Sequence, residues 1–364
     1  MLFIACYDAF PSSSPITGST EAKMRDKVPS LETVSSPPAR KTFTSLKPLI
    51  RGGSMLAIQD IHATHRDFLT AATSENTRRA YRSAIRHFLA WGGDLPADEG
   101  GIIRYLMAHA ASHNTRTQAL RLTALSQWHT HQGFPDPAST VTVRKTLKGI
   151  GRTYGRPKKQ AKALPLEDLE RIVATLAALD TIKAKRDNAL LQLGFFGGYR
   201  RSELANLQIA DISWESDGLL ITLQRSKTDQ QGQGVLKAIP YGTALCCPAT
   251  ALRAWLDAAD LRNGAAFRPI NKWQMVGEHA IHPASINTIL ADCAVMAGLD
   301  YVPDLSSHSL RRGMATSAYR AGADFRDIKR QGGWRHDGTV QGYIEEAGRF
   351  EENAARHLLR KSGS

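Results

Sequence analysis

Residues 307–345 read SHSLRRGMATSAYRAGADFRDIKRQGGWRHDGTVQGYIE. Four of them, His308, Arg311, Trp334 and Tyr343, stand out as partners for an anionic oxygen. His308 and Arg311 are three apart, which puts them on one face of a helix. A guanidinium fork is a natural partner for phosphate. After Gly332-Gly333 come an indole and then a phenol, and a phenol can act as a covalent nucleophile. Alone, the stretch also reads as a solvated basic helix followed by two core aromatics. The choice depends on what the rest of the chain supplies.

The chain has 364 residues, enough for two domains, and 42% of them are hydrophobic. Mean hydropathy is −0.31 and no apolar run is long enough to span a bilayer. A formal charge of +13 points to a polyanionic partner, nucleic acid before membrane. Cys6, Cys246, Cys247 and Cys293 show no metal-binding spacing and read as reduced thiols, which fits the cytosol. Residues 1–54 are rich in Ser, Pro and Thr without periodicity and read as a disordered leader. Arg51-Gly52-Gly53-Ser54 before Met55 resembles a translated ribosome-binding site, which makes Met55 the expected natural start.

Residues 55–150 read as a four-helix domain. Ser74 is an N-cap for a helix with Tyr81, Ala84, Ile85, Phe88 and Trp91 on one side and Arg78, Arg79, Arg82 and Arg86 on another. A second helix follows Pro96. A third, from Asn114 to before Gly133, is expected to bury Leu120, Ala124, Leu125 and Trp128 and to carry Arg116 and Arg121. These arginines are candidates for gripping phosphates. Residues 151–163 form a basic linker that includes Lys158 and Lys159, suited to a strap around a duplex.

Residues 164–347 read as a second domain. Pro165 is expected at the first position of a helix. A buried helix carrying Leu190, Leu191, Leu193 and Phe196 ends at Gly197-Gly198, before GYRRSEL. Residues 219–223 and 235–239 read as two strands of a hairpin, with Lys227 near its tip. Arg200 and Lys227 now join the four residues of the opening stretch. This set suits phosphodiester transfer without a metal. Two arginine forks and an indole N–H can meet the charge on the non-bridging oxygens, the phenol can attack, and a Lys or His can supply a proton.

The combination resembles the tyrosine recombinase, or phage integrase, family, which includes Cre, the Xer proteins and lambda-type integrases. GYRRSEL is similar to the family's first-arginine box and gives Arg200, with Glu203 as supporting acid. RSKT is similar to the hairpin lysine segment and gives Lys227. HSLR is similar to the H-x-x-R box and gives His308 and Arg311. Trp334 stands where Cre-like members have Trp, and Tyr343 follows nine residues later. Arg312 departs from the pattern, standing where many members carry His or another small residue.

The resemblance implies a mainly α fold with a small β-sheet or hairpin, in which a helical SAM-like core-binding domain precedes an α+β catalytic domain. It implies a site-specific recombinase that cuts and rejoins DNA through a 3′-phosphotyrosine, without metal, ATP or other cofactor. Implied partners are double-stranded DNA, a homotetramer on two DNA sites, and an accessory DNA-bending or directionality protein, in the bacterial cytoplasm on the nucleoid. Residues 348–364 read as a C-terminal helix and tail, with Phe350, Ala354, Leu358 and Leu359 on one side. It docks either on a neighbouring subunit, as in the family, or on its own domain. Two other readings stay open: a DNA-binding regulator with a dead site, and an enzyme that rejoins the same strand, as type IB topoisomerases and telomere resolvases do.

Overall fold

The computed structural model describes residues 73–157, 159–223, 234–243, 245–350 and 353–361. Residues 1–54, Lys158 and Lys227, all singled out above, lie outside the described residues. The chain divides into two compact units, the first ending at Lys158 and the second beginning at Lys159.

The first unit is built from α1 (Glu75–Trp91), α2 (Glu99–Ala108), α3 (Thr115–Gln132) and α4 (Val141–Tyr154). Each start is fixed by a side chain that accepts a first-turn N–H: Ser74, Asp98, Asn114 and Thr140. Ile85, Phe88, Ile102, Tyr105, Leu106, Leu125 and Val143 form its core.

On α3, Ala124 and Leu125 are buried as expected and Trp128 packs partly buried against the core, but Leu120 is not on the inner face. Leu120 is 43% exposed, while Gln118, Leu122, Leu125 and His129 are buried. The two polar members have backbone partners that make burial tolerable. Gln118 donates to the His109 carbonyl at 2.7 Å. His129 uses Nδ1 on the Leu125 carbonyl at 2.8 Å and accepts the Ala97 N–H on Nε2 at 2.9 Å.

The second unit contains α5 (Leu166–Leu179), α6 (Ile182–Phe196), the short α7 (Arg201–Ala205), α8 (Pro248–Ala258), α9 (Ser285–Met296), α10 (Ser307–Arg320), α11 (Phe325–Gly332), α12 (Asp337–Ala347) and α13 (Ala354–Lys361). A helix buried on all sides is a central one. α6 is of this kind, burying Leu190, Leu191, Gln192 and Leu193 in succession and packing against α5, α8 and α10. Strands β1 (Ile212–Glu215), β2 (Gly218–Leu223) and β3 (Val235–Pro240) form an antiparallel sheet in the order β1-β2-β3. Its register pairs Ile212 with Ile221 and Ile221 with Lys237.

Three further expectations are corrected. Pro165 is the N-cap of α5 rather than its first helical residue, since its extended ψ of 156° keeps it outside the helix. Phe195, not Phe196, is the fully buried ring at the end of α6. The last helix begins at Ala354, and Phe350, Leu358 and Leu359 are exposed. Cys246, Cys247 and Cys293 are free thiols. Among the described residues no helix is long and apolar enough to cross a membrane.

Candidate active site

The site starts where α6 stops. Gly197-Gly198 turns the chain so that Arg200 leaves the core at a fixed point. Gly198 has φ +54°, and a Cβ there would lie 2.6 Å from Met314 Cε and 3.4 Å from Gly332 Cα. Only glycine meets both conditions at little cost. Glu203 closes on Arg200 from the first turn of α7. It accepts the Arg200 backbone N–H at 2.9 Å and its Nη1 at 2.5 Å. The Glu203 carboxylate is buried, so the pair is oriented by hydrogen bonds as well as charge.

α10 brings in the opening stretch. Ser306 caps it, accepting the His308 N–H at 3.2 Å. His308 and Arg311 share the helix but differ in burial: His308 is exposed and Arg311 is 3% exposed. Arg311 Nη1 donates to the Gly198 carbonyl. Its Cζ lies 4.2 Å from the centroid of the Trp334 ring, a cation–π contact. Burial, then the nearby Arg200 charge, pushes the Arg311 pKa down to about 10. Arg311 Nη2 is buried and has no hydrogen-bond partner among the described residues.

Trp334 follows the end of α11. Gly333 adopts a left-handed φ of +64°, and the Trp334 N–H closes the turn on the Lys329 carbonyl at 3.1 Å. A Cβ on Gly332 would overlap the Trp334 ring at 1.8 Å, so this glycine is what lets the indole fold back. Tyr343 lies on α12, with its ring centroid 5.5 Å from that of Trp334. Val340, Ile344 and Ala347 bury the rest of that helix, largely against α10.

Arg312, the departure from the family pattern, supports this helix. It is ion-paired to Glu346, three residues after Tyr343, and donates to Gln160 at 2.7 Å. Its Cζ lies 5.4 Å from the Tyr343 ring centroid.

The structure therefore brings together Arg200, Glu203, Arg311, Trp334 and Tyr343 and puts His308 on the same helix as Arg311. Two neighbours escaped the sequence reading. Lys237 is buried on β3, and its Nζ donates to the carbonyls of Gly197 and Gln331, at 2.6 Å each. Gln331 donates to Phe196 at 2.9 Å and Ala238 at 3.2 Å. Beside Trp334 a recess of about 380 Å³ is lined by Val235, Arg326, Lys329, Arg330 and Arg335. Arg326, Lys329 and Arg330 fall on one side of α11, a periodicity present in DFRDIKRQ, and Arg335 follows the helix.

In the first unit, Arg79, Arg86 and Arg116 are exposed. Arg78 and Arg82 both pair with Glu75 at 2.7 Å. Arg121 is half-buried, with Nη1 wholly so, near Tyr105, His87 and His113. It does not stand out into solvent as α3 was expected to present it. Lys159 is exposed and pairs with Asp304 at 3.0 Å. Among the described residues no group of His, Cys, Asp and Glu is placed to hold a metal ion.

Residues 162–349 match the model of the phage integrase family. The chain is 34% identical over 302 residues to an integrase/recombinase XerD homologue of Selenomonas ruminantium, covering 80% of this chain and 88% of the relative. It is 28% identical over 284 residues to tyrosine recombinase XerC of Corynebacterium efficiens, covering 76% and 82%. Its fold is similar to that of a lambda integrase (75–356) dimer bound to a COC′ core site. The TM-score is 0.55 at 17% identity, over 79% of this chain and 95% of that one. With its mainly helical fold, small antiparallel sheet and these matches, the chain belongs to the phage integrase family of site-specific tyrosine recombinases.

Proposed function

We propose that this recombinase cuts and rejoins double-stranded DNA through a 3′-phosphotyrosine at Tyr343, with no metal or ATP. The observation that carries the reading is the buried Arg311 Nη2, a desolvated donor without a partner among the described residues, held beside Arg200, Trp334 and Tyr343. Such a donor is expensive to bury unless an anion completes it. A scissile phosphate is such an anion. Arg200 and Arg311 bind its non-bridging oxygens and meet the charge that grows in the transition state.

The Tyr343 oxygen attacks phosphorus, and the bond to the 5′-oxygen breaks. His308 assists removal of the tyrosyl proton, and Lys227 protonates the leaving 5′-oxygen. Trp334 walls the phosphate and Glu203 aims Arg200. The phosphotyrosine ester conserves the bond energy, and attack by a partner strand's 5′-hydroxyl reverses the chemistry. The first unit grips the duplex as a core-binding domain, through Arg79, Arg86 and Arg116. The working assembly is a homotetramer on two DNA sites, in the cytoplasm on the nucleoid, with an accessory protein setting direction.

The test is a nicked random-sequence duplex library incubated with the protein. Adducts stable to detergent are captured, sequenced and mapped by peptide mass. The wild type is expected to leave DNA on Tyr343, and Tyr343→Phe to leave none while still binding DNA. An adduct on the Phe variant would sink the assignment. Exchange between two labelled duplexes then distinguishes a recombinase from a same-strand rejoining enzyme, and a wild type without adduct points to a regulator.

A further inference from the structure

Lys237 occupies a position that strand alternation reserves for a hydrophobic residue. On β3 the inward residues are Val235, Lys237 and Ile239, and Lys237 is 3% exposed. Burying an ammonium is costly unless its protons are taken up. Here the partners are main-chain carbonyls from two distant segments: Gly197, at the end of α6, and Gln331, in the last turn of α11. Both lie at helix C-termini, where the backbone dipole favours a cation. The Tyr199 ring adds a third face, its centroid 4.7 Å from Nζ.

The connections form a closed frame. The three successive carbonyls of residues 196, 197 and 198 accept from Gln331, Lys237 and Arg311 respectively. Gln331 also returns to the strand, donating to Ala238 beside Lys237. Arg200 leaves this frame two residues after Gly198, and Trp334 three residues after Gln331. The groups facing the ammonium are Arg311 on α10, Arg200 and Glu203 around the start of α7, and Tyr199. Burial first, then Arg311, brings the Lys237 pKa down to about 7, with Glu203 acting the other way.

We infer that Lys237 is a positioning residue that locks the Arg200 turn, the hairpin strand and the Trp334 turn into one frame and holds a positive charge behind the phosphate. The inference rests on the phosphoryl-transfer reading of the site. With its ammonium spent on two carbonyls and shut from solvent, Lys237 does not reach the leaving oxygen. Its contribution passes through Arg200, Arg311 and Trp334. A bound phosphate anion favours the charged form, so DNA binding and retention of the Lys237 proton support each other.

The test compares Lys237→Met and Lys237→Arg with wild type by two independent readouts. The first is amide exchange, followed by mass, of residues 196–203 and 329–336. The second is the rate of covalent adduct formation on the nicked duplex pool, from pH 6 to 9.

Lys237→Met is expected to speed exchange in both segments together and to slow adduct formation by about a hundredfold, with non-covalent DNA binding retained. Lys237→Arg is expected to restore the exchange pattern and most of the rate. It should also remove the part of the alkaline fall that comes from deprotonation of Lys237, because an arginine stays charged throughout this range. Unchanged exchange in both segments overturns the inference. So does a Met variant as fast as wild type, or an Arg variant with the wild-type alkaline limb. If wild type forms no adduct, the recombinase reading fails by itself, and the coupled exchange of the two segments still decides the frame.

Discussion

Arg86 and Arg311 carry the same guanidinium, and the protein uses them in opposite ways. Arg86 stands exposed on α1, one turn from Arg82, which together with Arg78 is clasped by Glu75 at the surface. Arg311 is 3% exposed, bonded to a backbone carbonyl and stacked on an indole. A surface guanidinium contributes to a field that draws in a polyanion, tolerates imprecise geometry and is screened by salt. A buried one has lost that freedom and gained a fixed direction. Under the proposed function, the first unit uses charge for attraction and the second uses it for placement.

The largest expected effect separates charge from geometry at Arg311. Arg311→Lys keeps the charge but loses the planar fork and the stack on Trp334. Adduct formation should fall by about 10²–10³, the usual loss for one transition-state donor. The fall should persist across salt concentrations, with DNA binding nearly unchanged. A lysine variant that reacts as wild type would mean that placement does not matter here.

Next comes the Arg312–Glu346 pair, which ties α10 to the helix carrying Tyr343. The pair is mostly shielded, with Arg312 at 10% and Glu346 at 30% side-chain exposure. Removing one partner of such a pair strands the other, at about 3 kcal/mol. Urea melts of Arg312→Met, Glu346→Gln and the double variant should show each single change costing more than the double. Equal, additive losses would mean that the two residues act separately.

The first unit should respond to salt instead. Neutralising Arg79, Arg86 and Arg116 should weaken DNA binding across all sequences. The slope of log K against log salt should drop by about 0.9 for each arginine that touches a phosphate. Filter binding between low and moderate salt measures it. A change in sequence preference with an unchanged slope would contradict the assignment to attraction.

This contrast also marks what the sequence could disclose. Arg200, Arg311, Trp334 and Tyr343 were legible because each is a chemically distinctive side chain at a characteristic spacing from a glycine turn or a helix start. Lys237 and Gln331 were not. Their contacts are with backbone carbonyls 40 and 135 residues away in the chain, and carbonyls leave no mark in the sequence. Lys237 even occupies a core position that hydropathy assigns to an apolar residue. The same blindness put Leu120 on the inner face of α3 in place of Gln118 and His129. Leu120 looked buried because it is apolar, whereas Gln118 and His129 are buried with side-chain nitrogens bonded to main-chain carbonyls. Arg312 read only as a departure because its partner, Glu346, is brought beside it by the packing of α12 on α10.

The smallest effect contrasts the pH response of the two units. In the first, the rings of His87, His109 and His113 lie 4.8–5.3 Å apart, around Tyr105 and near Arg121. Burial first, and then the Arg121 charge, holds the pKa values of His87 and His113 below the usual imidazole range. In the unfolded chain these groups titrate near their ordinary value of about 6.5, so acidification protonates the unfolded state first. Their contribution to stability is present above that pH and is lost as pH falls below it, through the lower folded values. In the second unit the buried Lys237 acts from the alkaline side. Its folded pKa of about 7 lies below its unfolded value, so the penalty for burying its charge is relieved as pH rises above 7. Amide exchange of residues 85–125, relative to the intrinsic exchange rate, should therefore speed up on going from about pH 6.5 to 5.5, before most carboxylates titrate. Residues 196–203 should be slowed, relative to the intrinsic exchange rate, on going from about pH 7 to 9. Replacing His87 and His113 by Gln should flatten the first response and leave the second intact. If both units respond with the same sign, the histidine cluster and the buried lysine are not the groups that set the pH dependence of their units.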